Sequence, residues 1–248
     1  MNSDRMIAVR TDKTVYRDGD RCLKVFGAGY TRSEVLSEAL NQSRMEEIGI
    51  GVPKVLEVVQ IEGKWAIVSE YIPGKTMLAM MEEQPEKAEE YLRELVRIQW
   101  EILQKNCPDL SAMKDKLNKK ICQTDYFATT RFDLHRKIDD MPVENRVCHG
   151  DLNPSNLMIT SQGTVYVLDW SHATRGYAGA DAALSYEWFC LNGKTELAQQ
   201  YAKLFSAHTG IEWAEVEKWI PITAAAQAAF CSEDRRKSFD AWVGAQRI

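Results

Sequence analysis

The stretch that most constrains the fold is residues 146–170, RVCHGDLNPSNLMITSQGTVYVLDW. Short apolar or β-branched runs alternate with polar turn formers, which predicts strand, loop, strand, turn and strand. The runs 157–159 and 165–168 are predicted to pair as a hairpin. Asn156 directly precedes the first strand of this hairpin and Asp169 directly follows the second. Both side chains are therefore expected at the same end of the hairpin.

The polar residues of this stretch indicate a chemistry. Asn156 and Asp169 offer the hard oxygen donors that Mg²⁺ prefers, with positions left for water and phosphate. Asp151, five residues before Asn156, could accept a proton from an attacking hydroxyl. Taken singly, His149 could be structural, Asp151 a turn residue and Asn156 a cap. The joint pattern H-x-D-(x)4-N, followed by a strand and Asp, is the kinase arrangement and favours the functional interpretation.

The segments HGDLNPSNLM and VLDW resemble the aminoglycoside phosphotransferase and choline kinase family, the small-molecule branch of the protein-kinase-like fold. Gly150 stands where protein kinases carry Arg, as it does in that family. The resemblance extends from about Val15 to about Ser185. It implies ATP and Mg²⁺ as cofactors, with Asp151 as the catalytic residue and Asn156 and Asp169 as the metal ligands.

The resemblance also implies a fold class and a domain organisation. The expected architecture is α+β and bilobal, with a small antiparallel-sheet N-terminal lobe that carries one helix. This nucleotide-binding lobe is placed at residues 1–72. A larger, mainly helical lobe at residues 73–248 would carry catalysis and substrate binding.

A lysine in the N-terminal region fits this interpretation. The Asp18-Gly19 dipeptide predicts a hairpin whose return strand is Arg21–Phe26. Lys24 lies on the same face of that strand as Cys22 and Phe26, which is unfavourable unless an anion meets the ammonium group. An exposed edge lysine is the alternative. The resemblance favours the first interpretation and makes Lys24 the residue that meets the nucleotide phosphates.

Residues 31–48 predict a helix capped by Thr31 or Ser33. The apolar stripe of this helix is predicted to consist of Val35, Leu36, Ala39, Leu40 and Met45. From the resemblance, Glu38 is expected to pair with Lys24, whereas Glu34 is expected to be solvated.

The nucleotide site has two further predicted parts. The segment Glu70–Gly74 is a break between lobes, and the resemblance implies that the main chain of Glu70 and Ile72 contacts adenine; an ordinary loop is the alternative. The turn at residues 10–14 contains no glycine, although protein kinases cover the phosphates with a glycine-rich loop. Backbone amides or Thr and Lys side chains could take that part.

The remaining chain predicts helices. They lie at residues 85–105, 109–122 and 124–140, followed by a helical tail at 195–248. The tryptophans 188, 213 and 219 could form an aromatic wall for a quaternary amine or belong to the core. In the resembled family an acid near Asp181 ties the catalytic loop, and His149 is expected to pin that loop by hydrogen bonding.

Composition narrows the classes of function. The net charge is −5, and neither residues 1–72 nor the rest of the chain is basic, so nucleic acid is not an expected partner. No apolar run is long enough for a bilayer and no signal region opens the sequence, which predicts a cytoplasmic protein without a membrane partner. Six cysteines without CxxC spacing are expected to be free thiols.

The sequence therefore predicts an ATP- and Mg-dependent phosphotransferase acting on a hydroxyl of a small molecule, similar to an aminoglycoside, choline or a sugar. The alternative is a nucleotide-binding pseudokinase, which the glycine-free turn favours. A Mg-dependent phosphohydrolase is a weaker third interpretation. The acceptor and the choice between monomer and homodimer stay open.

Overall fold

A computed structural model of the chain describes residues 5–10 and 12–244. The strands of these residues, in chain order, are β1 (Arg5–Arg10), β2 (Lys13–Asp18), β3 (Arg21–Phe26), β4 (Val55–Ile61), β5 (Lys64–Glu70), β6 (Lys75–Thr76), β7 (Arg146–Cys148), β8 (Leu157–Ile159), β9 (Val165–Val167) and β10 (Thr174–Gly176). The helices are α1 (Arg32–Glu47), α2 (Met77–Glu83), α3 (Ala88–Leu103), α4 (Met113–Cys122), α5 (Ala128–Asp139), α6 (Ala178–Leu191), α7 (Thr195–Thr209), α8 (Trp213–Glu217), α9 (Ile220–Ala228) and α10 (Glu233–Val243).

By packing, the chain forms two compact units. The first comprises Met1–Glu83 and Pro154–His172, and the second comprises Gln84–Asn153 and Ala173–Ile248. The lobes predicted at 1–72 and 73–248 stay a prediction. The packing units differ from them because β6, α2 and the β8–β9 hairpin group with the N-terminal residues.

The first unit is built on an antiparallel sheet with strand order β1-β2-β3-β5-β4. Lys24 lies in the middle strand, with Val15 opposite it on β2 and Ile67 opposite it on β5. Helix α1 packs on the sheet through a buried core that includes Phe26 and Val35. The predicted hairpin and the single helix of this sheet are confirmed.

Helix α1 begins with a capping box. The hydroxyl of Thr31 accepts a hydrogen bond from the Glu34 N–H at 3.3 Å, and the Glu34 carboxylate accepts one from the Thr31 N–H at 2.8 Å. The two bonds satisfy donors that the first turn would otherwise leave unpaired. Thr31 is therefore the N-cap residue of α1. Glu34 is exposed, as expected, and its carboxylate also completes the capping box.

The predicted apolar stripe of α1 was wrong at two positions. Leu36 and Leu40 are 41% and 51% exposed. Asn41 and Gln42 are buried instead, because their side-chain amides donate to the carbonyl oxygens of Trp170 at 3.2 Å and Pro53 at 2.6 Å. Hydrogen bonding removes the cost of burying these amides, so the helix face is not purely apolar.

The hairpin predicted from the 146–170 stretch is confirmed. Strand β8 pairs with β9 in the register Leu157 opposite Val167, and β6 adds on the other side to give the order β6-β8-β9. Gly74 lies just before this small sheet. A Cβ atom at Gly74 would lie 2.3 Å from the carbonyl oxygen of Ile159, so only glycine permits this approach of the two backbones.

The second unit is mainly helical, as predicted. Helix α3 packs on α7, α6 packs on α7, α8 and α9, and β7 pairs with β10. Trp219 is a core residue, stacked on Tyr177 with ring centroids 4.5 Å apart. Trp213 packs against Tyr186 and Tyr201. The predicted α+β class, with an antiparallel-sheet N-terminal part and a helical C-terminal part, is confirmed.

The helices of the described residues are shorter or more polar than a membrane-spanning helix. None of those in the ranges 5–10 and 12–244 combines the length and the apolar character that crossing a membrane requires.

Candidate active site

A cavity of about 400 Å³ opens within the first packing unit. Its volume lies in the range of small-molecule sites. Six of the seven residues predicted for the site line it: Lys24, Glu38, Glu70, Ile72, Asn156 and Asp169. The structure therefore brings these six together, whereas Asp151 belongs to the second unit.

A cluster of opposite charges lies in this cavity. Lys24 forms an ion pair with Glu38, which is almost completely buried, and its Nζ lies 3.1 Å from Asp169 Oδ1. Lys13, at the start of β2, is a further member: its Nζ lies 3.2 Å from Glu38 Oε2 and 4.0 Å from Asp169 Oδ1. Two ammonium groups thus face two carboxylates. We refer to these four residues as the ion cluster.

The ion cluster shifts the pKa values of Asp169 and Lys24. Burial alone would raise the pKa of Asp169, but the ammonium groups of Lys24 and Lys13 outweigh it and hold that pKa well below its usual range. Burial would lower the pKa of Lys24, but Asp169 and Glu38 raise it above the ordinary lysine value. Asp169 is therefore an anion and Lys24 a cation at neutral pH.

Asp169 is also held in an unusual backbone conformation. Its φ is +62°, in the left-handed region that non-glycine residues rarely adopt. The Ser171 hydroxyl donates to Asp169 Oδ1 at 2.9 Å. Such local strain is common where a side chain must be aimed at a functional site.

Asn156 lies beside Asp169 at the end of the β8–β9 hairpin. It closes a 3₁₀ turn at Pro154–Asn156, and its carbonyl oxygen accepts a hydrogen bond from the Leu168 N–H at 2.8 Å. One amide oxygen and one carboxylate fit Mg²⁺, which keeps water and phosphate oxygens as its other ligands. Among the described residues, no group of three or more His, Cys, Asp or Glu side chains is arranged to hold a metal ion.

Glu70 at the end of β5 and the following residues Tyr71 and Ile72 line the same cavity. The N–H of Glu70 donates to Lys54 O and the N–H of Tyr71 donates to Asp20 O, each at 2.9 Å. The Arg17 guanidinium lies over the Tyr71 ring, 4.1 Å from its centroid. These contacts hold the segment in place. The next backbone N–H along the chain, after those of Glu70 and Tyr71, belongs to Ile72.

Hydrogen bonds hold the first part of the predicted catalytic loop, up to Asn153, within the second unit. The Asp151 N–H donates to His149 Nδ1 at 3.2 Å, and the Asn153 side-chain amide donates to Asp151 Oδ1 at 3.0 Å. Gly150 has φ +80°, a conformation that favours glycine over the Arg of protein kinases. The buried His149 therefore pins the loop, as expected, and Asn153 orients the Asp151 carboxylate.

Asp181 ties this loop to the helices. Its carboxylate accepts from the Gly150 N–H at 2.7 Å and from the Gln99 side-chain amide at 2.9 Å. The Ser185 hydroxyl donates to Leu152 O at 2.7 Å. The expected structural role of Asp181 is confirmed by these contacts.

Sequence reasoning missed three of the residues that shape these sites. The sequence contains only a weak indication for Lys13. This residue lies in the glycine-free turn, where a Lys side chain was one of the groups that could cover the phosphates. Asn153 follows Asp151 closely but was not assigned a role. Gln99 gave no signal in the sequence. A polar residue within the apolar pattern of α3 can be assigned a hydrogen-bonding role only when its partner is known.

Comparisons with known proteins show the family to which the chain belongs. A family model described as the phosphotransferase enzyme family matches residues 2–219. A search of curated protein sequences found no significant match.

Solved structures share the fold at low sequence identity. An aminoglycoside 3′-phosphotransferase of type VIII is 17% identical, with a TM-score of 0.67 over 90% of this chain and 92% of that chain. A thermostable mutant of aminoglycoside phosphotransferase APH(4)-Ia, in a ternary complex with ADP and hygromycin B, is 14% identical with a TM-score of 0.70, covering 96% and 89%. Choline kinase LicA from Streptococcus pneumoniae is 15% identical with a TM-score of 0.66, covering 96% and 90%.

The fold and the family match define the class of this chain, a phosphotransferase with a kinase-like fold. The chain belongs to the phosphotransferase enzyme family.

Proposed function

We propose that this chain transfers the γ-phosphoryl group of ATP, with Mg²⁺, to a hydroxyl of a small molecule that is similar to an aminoglycoside, choline or a sugar. The observation that carries the proposal is the meeting of Lys24, Glu38, Asn156 and Asp169 in one cavity. Phosphoryl transfer is catalysed mainly by positioning and by charge neutralisation, and these side chains are of the types required.

In this proposal each side chain of the cavity has one task. Lys24, held by Glu38, binds the α- and β-phosphates, and Asn156 and Asp169 bind Mg²⁺. When bound, Mg²⁺ neutralises charge on the phosphate oxygens. The main chain of Glu70 and Ile72 receives the adenine edge by hydrogen bonding.

Asp151 is proposed as the residue that handles the proton. The acceptor oxygen forms a bond to the γ-phosphorus while the bond from that phosphorus to the ADP oxygen breaks. Asp151 orients the hydroxyl and takes its proton. His149, Asn153 and Asp181 act through Asp151 and its loop by holding them in place.

The related structures suggest which acceptors to test first. One neighbour was solved with ADP and hygromycin B, and another is a choline kinase. These names suggest aminocyclitol sugars and amino alcohols as acceptor classes. They do not select between them, because pockets on one fold serve many substrates.

The test is Mg-dependent ADP release from ATP across a panel of aminoglycosides, choline, thiamine and simple sugars. We expect one class to stimulate release, and Asp151→Asn to lower that rate by about 100-fold or more. The matched control is Asp109→Asn, an exposed carboxylate of the same unit, which should leave turnover unchanged. Unchanged turnover in Asp151→Asn would contradict the proposal.

A pseudokinase is the second candidate, because the turn at residues 10–14 lacks glycine. The presence of Asp151, Asn156 and Asp169 together argues against it, since loss of catalysis removes the need for them. Tight Mg-dependent ATP binding, with no transfer to any member of a broad panel, would favour this candidate.

A further inference from the structure

The turn between β1 and β2 has no glycine, so the proposed function does not yet say what covers the phosphates. In protein kinases a glycine-rich loop covers the phosphates with backbone N–H groups, and here residues 10–14 contain no glycine. The strands pair down to Arg10 opposite Lys13. The Gly27 N–H donates to Asp12 O at 2.8 Å, which anchors the turn to the end of β3.

Lys13 directs its ammonium group from this turn into the cavity. The side chain is only 13% exposed. Its Nζ lies 5.2 Å from the ring centroid of Phe26 and 5.4 Å from that of Tyr30, a cation–π arrangement. Together with the contact to Glu38, these rings hold the ammonium group at the edge of the ion cluster.

The charges of the ion cluster explain why a second cation is useful there. Lys24, Glu38 and Asp169 by themselves carry one net negative charge, which would oppose the approach of a polyphosphate. Lys13 makes the cluster neutral. Uncompensated charge is costly in a half-buried site, so Lys13 compensates Asp169 before the nucleotide binds.

We propose that Lys13 is a second phosphate-binding cation of the nucleotide site and takes over the task of a glycine-rich loop. This inference rests on the proposed function, because it requires ATP in the cavity. Lys24, the middle-strand lysine, and Lys13, the turn lysine, then both bind the phosphate chain. Charge on the Lys13 side chain thus takes the part that backbone N–H groups of a glycine-rich loop play in protein kinases.

The test measures binding of ATP, ADP and adenosine by calorimetry, with and without Mg²⁺. A charge-assisted contact predicts that Lys13→Met weakens ATP binding by about 10- to 100-fold and leaves adenosine binding unchanged. Lys13→Arg keeps the charge and should recover most of the loss. Lys64→Met, an exposed lysine on β5 of the same sheet, is the matched control and should bind like the wild type.

The outcomes separate the two proposals. If Lys13→Met keeps the wild-type preference for ATP over adenosine, or loses affinity for both equally, Lys13 is not a phosphate ligand and the inference is overturned. If the wild-type chain itself shows no preference for ATP over adenosine, the proposed function fails and the inference fails with it. A thermal unfolding curve for each variant ensures that the comparison is made between folded proteins.

Discussion

The buried carboxylate of Asp181 accepts a hydrogen bond of 2.7 Å from the backbone N–H of Gly150, 31 residues earlier in the chain. Its other oxygen accepts from the Gln99 side chain, which also accepts from the Tyr201 hydroxyl at 2.6 Å. Burial raises the pKa of Asp181, while the bonds from Gln99 and Gly150 oppose that shift. The conformation of the loop before Asp151 is thus fixed by a polar network on α3, α6 and α7.

Asp181→Ala should destabilise the protein, because the substitution leaves the Gly150 N–H and the Gln99 amide without their acceptor. The expected loss in the free energy of unfolding is about 1–3 kcal/mol for each buried donor. Urea denaturation measures it. Asp133→Ala, at an exposed position of α5, is the control and should change little. A loss no larger than that of the control would show that the network is not important for stability.

Asp181→Asn tests the positioning role separately. The asparagine keeps one acceptor oxygen, so we expect a folded protein with a mobile loop. Its kcat should fall while the KM for ATP stays near the wild-type value, because the cavity of the first unit is untouched. A change in the KM for ATP alone would contradict a role in the loop.

Gly74→Ala should be destabilising by about 1–3 kcal/mol, the usual cost of forcing atoms into a packed site. The added Cβ would lie 2.3 Å from Ile159 O, a backbone atom that cannot move aside by rotation. Nucleotide affinity should fall as well, since Ile72 lies two residues away. Gly29→Ala is the control, because its Cβ would meet no atom within 4 Å. Equal melting temperatures of the two variants would refute the close approach.

Much of the first unit could be predicted from the sequence because its signals are local. The hairpin of β8 and β9 follows from alternation and a turn, and its pairing places Asn156 and Asp169 together. The approach of Lys24 to Glu38 followed from the family resemblance. Lys13 could not be placed, because its contact with Glu38 depends on the register of three strands against a helix.

The network around the catalytic loop could be predicted only in part. An acid near Asp181 was expected to tie the loop, but Gln99 lies 82 residues from Asp181 in sequence. A pairing at that separation is set by how α3 packs against α6. The exposed Leu36 and Leu40 of α1 show the same limit, because hydrogen bonds of neighbouring amides to distant carbonyls decide which face is buried.

Lys116 predicts how stability depends on pH. Burial, together with the neighbouring Lys120, lowers the pKa of Lys116 to about 7. Between about pH 7 and 10.5 the unfolded chain binds the extra proton, so the free energy of unfolding rises with pH across that window. Below pH 7 the cost of burying the charge is constant.

Lys116→Met removes this titration. Relative to the wild type, the variant should gain up to about 4 kcal/mol on going from pH 10 to pH 6. Lys119→Met, on the exposed face of the same helix, should keep a constant difference from the wild type. Denaturant unfolding at both pH values measures the change. A difference for Lys116→Met that does not vary with pH would refute the lowered pKa.

Glu187 should give the opposite slope. Burial raises the pKa of this carboxyl group well above its usual value, although the Thr223 hydroxyl and the Gln227 amide donate to it and oppose the shift. The folded chain therefore keeps the proton at pH values where the unfolded chain has lost it. Its contribution to stability is fully present below about pH 4.3 and declines as the pH rises.

Glu187→Gln should therefore gain stability relative to the wild type as the pH is raised from 5 to 8, because the amide has the size of the protonated acid and does not titrate. At pH 4 the two proteins should differ by less than about 1 kcal/mol, since both then bury a neutral group. Glu196→Gln, at an exposed position of α7, should show no such trend. Denaturant unfolding at each pH measures these differences. Parallel curves for the Glu187 variant and the wild type would mean that Glu187 is ionised in the core and that Thr223 and Gln227 hold it as an anion.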